Sequence, residues 1–299
     1  MSIPALHLMI RCFLLGLCCL FLGCDRSPVP PATGKLVRLD KLAPLPEYEA
    51  KQGATLRVAV AAILSPEGTV ASYHALLAHL GKLLGVPVQM IQRRTYQEIN
   101  ELIAKGSIDL AFVCTGAYQA GAKDMTVLVV PQINGATTYR AVILASRKAG
   151  VRTFADLRGK SFAFSDPMSN TGFAYPQSLL TAMSEDSKTF FSRTFFTYSH
   201  DRTISAIAEG MATAGSVDEL VYRHALKRDP TLADTLVVLQ RSEDFPIPPV
   251  VAPRQKDAAF VARVRRVLIE FSQDEEGRKI LADLEIDRFV LPGKEYDAR

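Results

Sequence analysis

The hydrophobic pattern from residue 55 onward alternates between short apolar runs and longer segments with helical spacing. Apolar side chains recur every three or four residues between positions 70 and 84, which predicts a helix that ends at Gly85. Thr95 and Glu98 form a capping box, the sequence signature of a helix start, and Gly106 should end that second helix. The apolar runs of strand length in this part are residues 56–61, 86–91 and 108–113.

This β-α-β-α-β order predicts parallel strands with helices on both faces of the sheet, and a ligand site beyond the carboxyl ends of the strands. A second set of strand and helix signals follows, and its last part, residues 258–284, is strongly helical. We therefore predict an α/β fold with two lobes, joined by crossings near residues 144 and 246. Lobe 1 would comprise residues 53–143 plus 247–299, and lobe 2 residues 144–246.

The first 23 residues are predicted to be an export signal rather than part of the fold. Residues 12–23 form an apolar run that follows Arg11; such a run is too short for a membrane-spanning helix of about 20 residues but has the length of a signal-peptide core. The run ends in Leu-Gly-Cys24, the pattern at which bacterial lipoproteins are cleaved and lipidated; the alternative is an ordinary signal peptide in which Cys24 is incidental.

Residues 24–52 are rich in proline and have no hydrophobic periodicity, so we expect an extended tether between a lipid anchor and the folded part. Asp25, directly after Cys24, favours retention at the inner membrane within the lipoprotein class. These features predict a periplasmic lipoprotein anchored in the membrane.

Charge and cysteine content exclude several classes of protein. The net charge of +4 is small and the basic residues are spread out, so nothing indicates a nucleic-acid surface. Four of the five cysteines lie in the signal or at the anchor, and Cys114 alone remains for the folded part, which excludes an internal disulfide there. No cysteine or histidine pair has the spacing of a metal site.

Several short motifs follow one another along residues 56–290. These are Ser65-Pro-Glu, Gly106-Ser-Ile-Asp-Leu-Ala-Phe, Cys114-Thr-Gly-Ala-Tyr, Asp156-Leu-Arg-Gly-Lys, Asp166-Pro-Met-Ser-Asn-Thr-Gly, Ser199-His-Asp and Gly215-Ser-Val-Asp. In their order and spacing the chain resembles the phosphate/phosphite/phosphonate-binding proteins of ABC transporters. The resemblance implies a type II periplasmic-binding fold that closes on its ligand, no reaction and no cofactor.

Ser169, Asn170 and Thr171 have the clearest binding chemistry. They follow a predicted strand and precede a helix predicted from Gly172 to Met183, so free backbone N–H groups and hydroxyls should face an anion there. An ordinary helix cap is the alternative from physics alone. The family often has Ser-Thr-Ser at this point, so Asn170 is a departure whose amide still donates.

The resemblance also places ligand contacts at Thr115, Tyr118 and Tyr96, with Ser65 as a further donor after the first strand. His200 would donate to a phosphorus oxyanion, although a structural role is an equal alternative. Asp218 ends a predicted strand at the cleft. A carboxylate in an anion site is costly unless the ligand keeps a proton or carries an amine, so Asp218 would select protonated or amino-bearing ligands.

Cys114 leaves three interpretations open. It packs as a small hydrophobic residue, or it binds a thiophilic species such as arsenite, or it acts as a nucleophile with His200 as base. Arsenite sensors within this broad family use a cleft cysteine and signal to a membrane histidine kinase. Because no third group orients His200, we expect no enzyme; we expect capture of a phosphonate, phosphite or phosphate for an ABC permease, with the arsenite sensor as the alternative.

Overall fold

The computed structural model describes residues 55–296. The predicted signal peptide, Cys24 and the tether lie outside the described residues. Within residues 55–296, no helix is both long enough and apolar enough to cross a membrane.

Two separate β-sheets organise the described part of the chain, as the predicted two-lobed α/β fold requires. The first has six strands in the order β13-β4-β12-β3-β1-β2 and the second has five in the order β10-β6-β9-β7-β8. In sheet order, the first comprises β13 (Arg288–Val290), β4 (Met125–Gln132), β12 (Val250–Pro253), β3 (Leu110–Phe112), β1 (Leu56–Val60) and β2 (Val88–Ile91). The second comprises β10 (Leu236–Arg241), β6 (Ala141–Ser146), β9 (Ala214–Asp218), β7 (Ser161–Phe164) and β8 (Arg193–Phe196).

The first sheet begins with the parallel β-α-β-α-β unit that the hydrophobic pattern predicts. β1 pairs in parallel with β2 and with β3. Two strands from later in the chain add to the sheet in antiparallel register: β12 pairs with β3, and β13 pairs with β4. The predicted second strand starts two residues later than expected, at Val88 instead of residue 86. The helices of this lobe are α1 (Pro66–Leu84), α2 (Tyr96–Ala104), α3 (Thr115–Gly121), α9 (Ala258–Glu270) and α10 (Glu275–Asp283).

Apolar side chains on the two faces of the first sheet pack against different helices. Val58 faces Leu76 and Leu80 of α1, while Ala59, one residue on, faces Ile99 of α2. This alternation follows from the two-residue repeat of a strand. α1 itself departs from the predicted apolar stripe at its start, because Val70 is 46% exposed.

The second sheet carries helices α4 (Tyr175–Ala182), α5 (Ser187–Phe190), α6 (His200–Ala208), α7 (Glu219–Arg228) and α8 (Leu232–Thr235). Phenylalanines fill one face, where Phe162 and Phe191 stack with ring centroids 4.5 Å apart. On the other face, Ile204 and Ile207 of α6 pack against Ala163. Two predicted elements are divided differently in the structure: residues 170–183 form a π-helical turn (Asn170–Ala174) before α4, and residues 258–284 form two helices.

A two-stranded ribbon joins the two sheets. It pairs β5 (Thr138–Tyr139) with β11 (Phe245–Pro246) in antiparallel register. The expected boundary between residues 143 and 144 falls inside β6, yet all of β6 pairs within the second sheet. The second sheet therefore begins at Ala141, a few residues earlier than the sequence pattern indicated, because hydrogen bonding rather than hydropathy ends one sheet and starts the next.

Candidate functional site

Five buried polar side chains near the facing surfaces of the two lobes have no hydrogen-bond partner among the described residues. The atoms are the hydroxyls of Tyr96, Tyr139, Thr171 and Ser199 and the amide nitrogen of Asn170. All five can donate a hydrogen bond and none carries a charge. A buried donor without a partner costs about 1–3 kcal/mol, so this arrangement is expected where a ligand supplies the missing acceptors.

The loop after β7 positions two of these donors. Ser169 caps the π-helical turn: its hydroxyl accepts the N–H of Gly172 at 2.9 Å, and its own proton stays available. The hydroxyl of Ser216, on neighbouring β9, donates to the carbonyl of Thr171 at 2.5 Å and holds the turn in place. Gly172 is required here, because a Cβ would lie 2.5 Å from the side chain of Ser165.

His200 is a neutral hydrogen-bond donor at the start of α6. The backbone N–H of Asp218 donates to its Nδ1 at 3.1 Å, and since a backbone N–H can only donate, the ring proton must sit on Nε2. Nε2 points toward the hydroxyl of Ser169 at 3.5 Å. Burial lowers the pKa of His200 to about 4, so the ring stays uncharged at neutral pH.

Ser199 caps α6 without using its side chain. No hydrogen bond joins its hydroxyl to the first turn of α6, and the hydroxyl is one of the five unpartnered donors. Its carbonyl instead accepts from Thr203 at 3.0 Å. The free hydroxyl beside His200 adds a donor that the sequence analysis did not assign, although the Ser-His-Asp motif contained it.

Tyr96 and Tyr139 bring phenol groups from lobe 1 and from the joining ribbon. Burial raises the pKa of both phenols well above the usual value, so both remain protonated donors. The side chains of Thr115 and Asn170 lie close enough to the Tyr139 hydroxyl to lower its pKa, but neither makes a hydrogen bond of normal geometry with it. Tyr96 lies close to Cys114. The sequence did not single out Tyr139 as a site residue; the one available signal was an amphipathic side chain at the start of the apolar run 139–145.

Asp218 lies at the end of β9 and caps α7. Its carboxylate accepts the N–H of Leu220 at 2.7 Å. Burial nevertheless raises its pKa to about 7, against the effect of the backbone N–H groups of Leu220 and Val221. Asp218 is close enough to Tyr96 and Tyr139 to raise their pKa electrostatically. The carboxyl group can therefore change protonation state near neutral pH beside the donor cluster.

Cys114 is a buried thiol among these groups. Burial raises its pKa, while the backbone N–H groups of Asn170, Gly116 and Ala117 lower it. The side chain packs with Ala61, Tyr96 and Ala117 and is 2% exposed. The thiol thus stays protonated, and the N–H of Asn170 in lobe 2 faces it from across the cleft.

Three residues expected at the site have other partners in the structure. Tyr118 donates to the backbone carbonyl of Tyr296 at 2.8 Å, at the end of the described chain. Thr115 donates to the carbonyl of Pro246 at 2.8 Å, which fixes the start of α3 to the joining ribbon. Ser65 caps α1 by accepting the N–H of Gly68 at 3.2 Å. The short spacing from β3 placed Thr115 and Tyr118 near the cleft, but rotation about α3 turns Tyr118 toward the C-terminal segment.

Two carboxylates of lobe 2 contact helix starts in lobe 1. Both oxygens of Asp201 accept the N–H of Ser65 at the start of α1, at 2.9 and 3.0 Å. Asp166 accepts the N–H of Tyr96 at the start of α2, at 3.1 Å. A helix N-terminus has unpaired N–H groups and a partial positive charge, so each carboxylate stabilises the contact between the lobes.

The comparisons with known proteins agree with this geometry. Residues 58–295 match the family described as the phosphonate periplasmic substrate-binding protein of ABC transporters. The chain belongs to this family. The expectation of a binding protein rather than an enzyme is thereby confirmed at the level of the family.

Individual relatives show the same family in more detail. The Phosphate-import protein PhnD of Mycolicibacterium smegmatis is 31% identical over 185 residues, and the match covers 57% of each chain. The chain thus matches a little over half the length of that relative. The binding protein component of an ABC phosphonate transporter from Pseudomonas aeruginosa has a TM-score of 0.77 at 18% identity, covering 81% of this chain and 82% of the other.

A PhnD protein of Prochlorococcus marinus, solved in complex with methylphosphonate, has a TM-score of 0.72 at 18% identity. It is covered over 94% of its length, against 81% of this chain. At this identity the structural likeness establishes the two-lobed periplasmic-binding fold, and the choice of ligand has to be argued from the residues of the site.

Proposed function

We propose that this chain captures a small phosphorus oxyanion by closure of its two lobes and presents it to an ABC permease. The observation that carries the proposal is the set of five buried, unpartnered, neutral donors, together with the Nε2–H of His200. No lysine or arginine within residues 55–296 hydrogen-bonds to these groups. The site therefore offers neutral hydrogen-bond donors that lack acceptors, and no positive charge. A tetrahedral oxyanion supplies several acceptors within one small volume, which matches that demand.

Closure would assemble the site from both lobes. Thr171, Asn170, Ser199 and His200 come from lobe 2, and Tyr96 comes from lobe 1. We propose that the ribbon of β5 and β11 is the hinge, with lobe 1 and lobe 2 turning about it. The closed form would then be the shape that a membrane partner recognises.

Calorimetric titration of the purified chain tests this function. We expect methylphosphonate, phosphite or phosphate to bind, and the binding to survive Cys114→Ser. Failure of all three phosphorus oxyanions to bind would contradict the proposal.

The arsenite sensor is the second candidate, because Cys114 lies beside Tyr96 and faces the N–H of Asn170. Its raised pKa keeps the sulfur protonated, which opposes binding of a thiophilic ligand. Binding of arsenite alone, lost in Cys114→Ser, would select a sensor with a histidine kinase as partner over a transport protein.

Membrane anchoring through Cys24 is a further part of the proposal, and it rests on the Leu-Gly-Cys pattern after the apolar run. Expressed with its leader in a Gram-negative host, the chain should partition into the detergent phase, and Cys24→Ala should move it to the aqueous phase. Equal partitioning of the two proteins would show that Cys24 carries no lipid.

A further inference from the structure

An apolar cavity of about 150 Å³ lies between the two lobes beside the donor cluster. Lobe 1 contributes residues of α1, the end of β3 and the segment before β13, and lobe 2 contributes the start of α7. Its apolar wall includes Ile63, Phe112, Val113, Ile247 and Phe289. A cavity of this volume with such a lining holds a molecule of about the size of benzene.

The cavity borders the donor cluster. Asp218 lines the cavity, and its backbone N–H donates to Nδ1 of His200 at 3.1 Å. Ala61 lines it as well, and packs directly against Tyr96 and Cys114. A group attached to an oxyanion at the donors therefore has one apolar space next to it, and Asp218 stands where the two meet.

Polar groups also line the cavity. Tyr73, on α1, packs its ring edge against Phe112 with centroids 5.2 Å apart, and burial together with the charge of Asp218 raises the pKa of its phenol to about 12. Glu285 of lobe 1, another lining residue, forms an ion pair with Lys227 of lobe 2 at 3.1 Å. Most of the lining is nevertheless apolar, so water gains few partners in the cavity.

We propose that this cavity holds the organic substituent of the bound oxyanion, and that the ligands of this chain are phosphonates with an apolar group of about three to six carbon atoms. The inference rests on the proposed function of the donor cluster. A bare phosphate or phosphite fills the donors and leaves the apolar space empty. A larger substituent contacts both lobes at once and thereby favours the closed form.

The affinity should rise with the size of the substituent. Each buried methylene contributes a factor of about four in affinity. We therefore expect the full chain to bind propylphosphonate and phenylphosphonate at least about tenfold more tightly than methylphosphonate in calorimetric titration.

A variant that fills the cavity separates this inference from the function itself. Ser72, on α1, lines the cavity, whereas Ala75, on the same helix, is exposed and does not. Ser72→Phe should weaken phenylphosphonate binding about tenfold or more and leave methylphosphonate binding within about threefold, and Ala75→Phe should change neither. If Ser72→Phe does not fold, His224→Phe narrows the cavity from lobe 2 and should give the same result.

The outcomes distinguish the two proposals. If methylphosphonate binds but the larger phosphonates bind no more tightly, or if Ser72→Phe weakens both ligands equally, the cavity does not hold the substituent and the proposed function stands. If the wild-type chain binds no phosphorus oxyanion, the proposed function fails and the inference fails with it.

Discussion

At the scale of single residues, the site contains buried polar groups that lack hydrogen-bond partners. The hydroxyl of Thr171 is buried without a partner, whereas that of Thr203, equally buried, bonds to Ser165, Thr197 and the carbonyl of Ser199. The two buried hydroxyls thus differ in whether they have a hydrogen-bond partner, and this difference decides whether each one lowers or raises stability. The unpartnered one is available to a ligand, and the other supports the loop.

Thr171→Val should stabilise the ligand-free protein and impair binding. The substitution removes an unpaired hydroxyl at nearly constant volume, so the free energy of unfolding should rise by about 1 kcal/mol. Affinity for methylphosphonate should fall about tenfold. Denaturant titration and calorimetry measure the two effects. Thr203→Val is the matched control and should lower stability; a loss of stability in Thr171→Val would show that its hydroxyl is paired in the free protein.

Asp218 should make stability and binding depend on pH. Its pKa in the folded protein, about 7, lies above the ordinary value of 3.8, so the folded state binds the proton more tightly than the unfolded state. The buried carboxylate of Asp218 therefore lowers the free energy of unfolding once it is charged. This destabilisation is absent at low pH, grows as pH rises above about 4, and is complete above pH 7. Asp218→Asn should therefore gain about 2 kcal/mol more in unfolding free energy at pH 8 than at pH 5.

The protonation of Asp218 should also change the affinity for the ligand. A protonated Asp218 donates to an oxyanion and a charged one repels it, so the affinity for methylphosphonate should fall between pH 6 and 8 more steeply in the wild type than in Asp218→Asn. The variant keeps the ligand's own titration and so serves as the control. Identical pH profiles would remove Asp218 from the site, and a phosphonate bearing an ammonium group should show the opposite trend.

His200 has the opposite effect on the pH dependence of stability. Its pKa in the folded protein, about 4, lies below the usual 6.5. Its contribution to the free energy of unfolding is therefore fully present above pH 6.5 and is lost as pH falls toward 4. Between pH 6.5 and 8 it should add no pH dependence to binding. A donor that never becomes charged at neutral pH matches the neutral character of the other five.

At the scale of elements, helix starts are used in two ways. α6 begins at the site with a free Ser199 hydroxyl, while α1 and α2 begin at the lobe contact, where Asp201 and Asp166 accept their N–H groups. The capping box of Thr95 and Glu98 fixes the start of α2 and so the position of the Tyr96 N–H that Asp166 receives. Local capping rules thereby decide where the lobes touch.

Asp201→Ala should shift the ligand-free chain toward an open form. Losing the Asp201 carboxylate removes its contact with the Ser65 N–H between the lobes, worth about 1.5–3 kcal/mol, together with a hydrogen bond from the Arg202 N–H within lobe 2. The radius of gyration from small-angle scattering should increase, and affinity should fall about tenfold. Asp257→Ala, which removes a cap within lobe 1, is the control and should lower stability without changing the scattering. Unchanged scattering in Asp201→Ala would show that this contact does not hold the lobes together.

At the scale of the whole molecule, closure requires a close approach of α3 to the loop after β7. A Cβ on Gly116 would overlap the carbonyl oxygen of Met168 and come within 2.9 Å of the amide nitrogen of Asn170, both backbone atoms of the other lobe. Gly116 does not adopt a left-handed backbone conformation, so its backbone does not require glycine. The close contact between the lobes requires it, because there is no room for a side chain.

Gly116→Ala should block closure while both lobes remain folded. Methylphosphonate should bind at least about tenfold more weakly, and scattering should show no compaction on its addition. Gly121→Ala, at the end of the same helix, meets only the ends of the flexible side chains of Met125 and Asn100, and should close normally. Compaction in both variants would show that the lobes close with a larger separation than in this structure.

The sequence by itself determined the parallel β-α-β-α-β start, the capping box at Thr95 and the family, because these rest on periodicity and on neighbouring residues. It also singled out Ser169–Thr171, His200 and Asp218, each of which directly follows a strand or starts a helix. The tertiary structure alone decided the rest. Tyr118 donates to Tyr296 and Thr115 donates to Pro246, because hydrogen bonds across more than a hundred residues select partners that no local pattern encodes. Tyr139 and Ser199 belong to the donor cluster because the fold buries their hydroxyls without a partner.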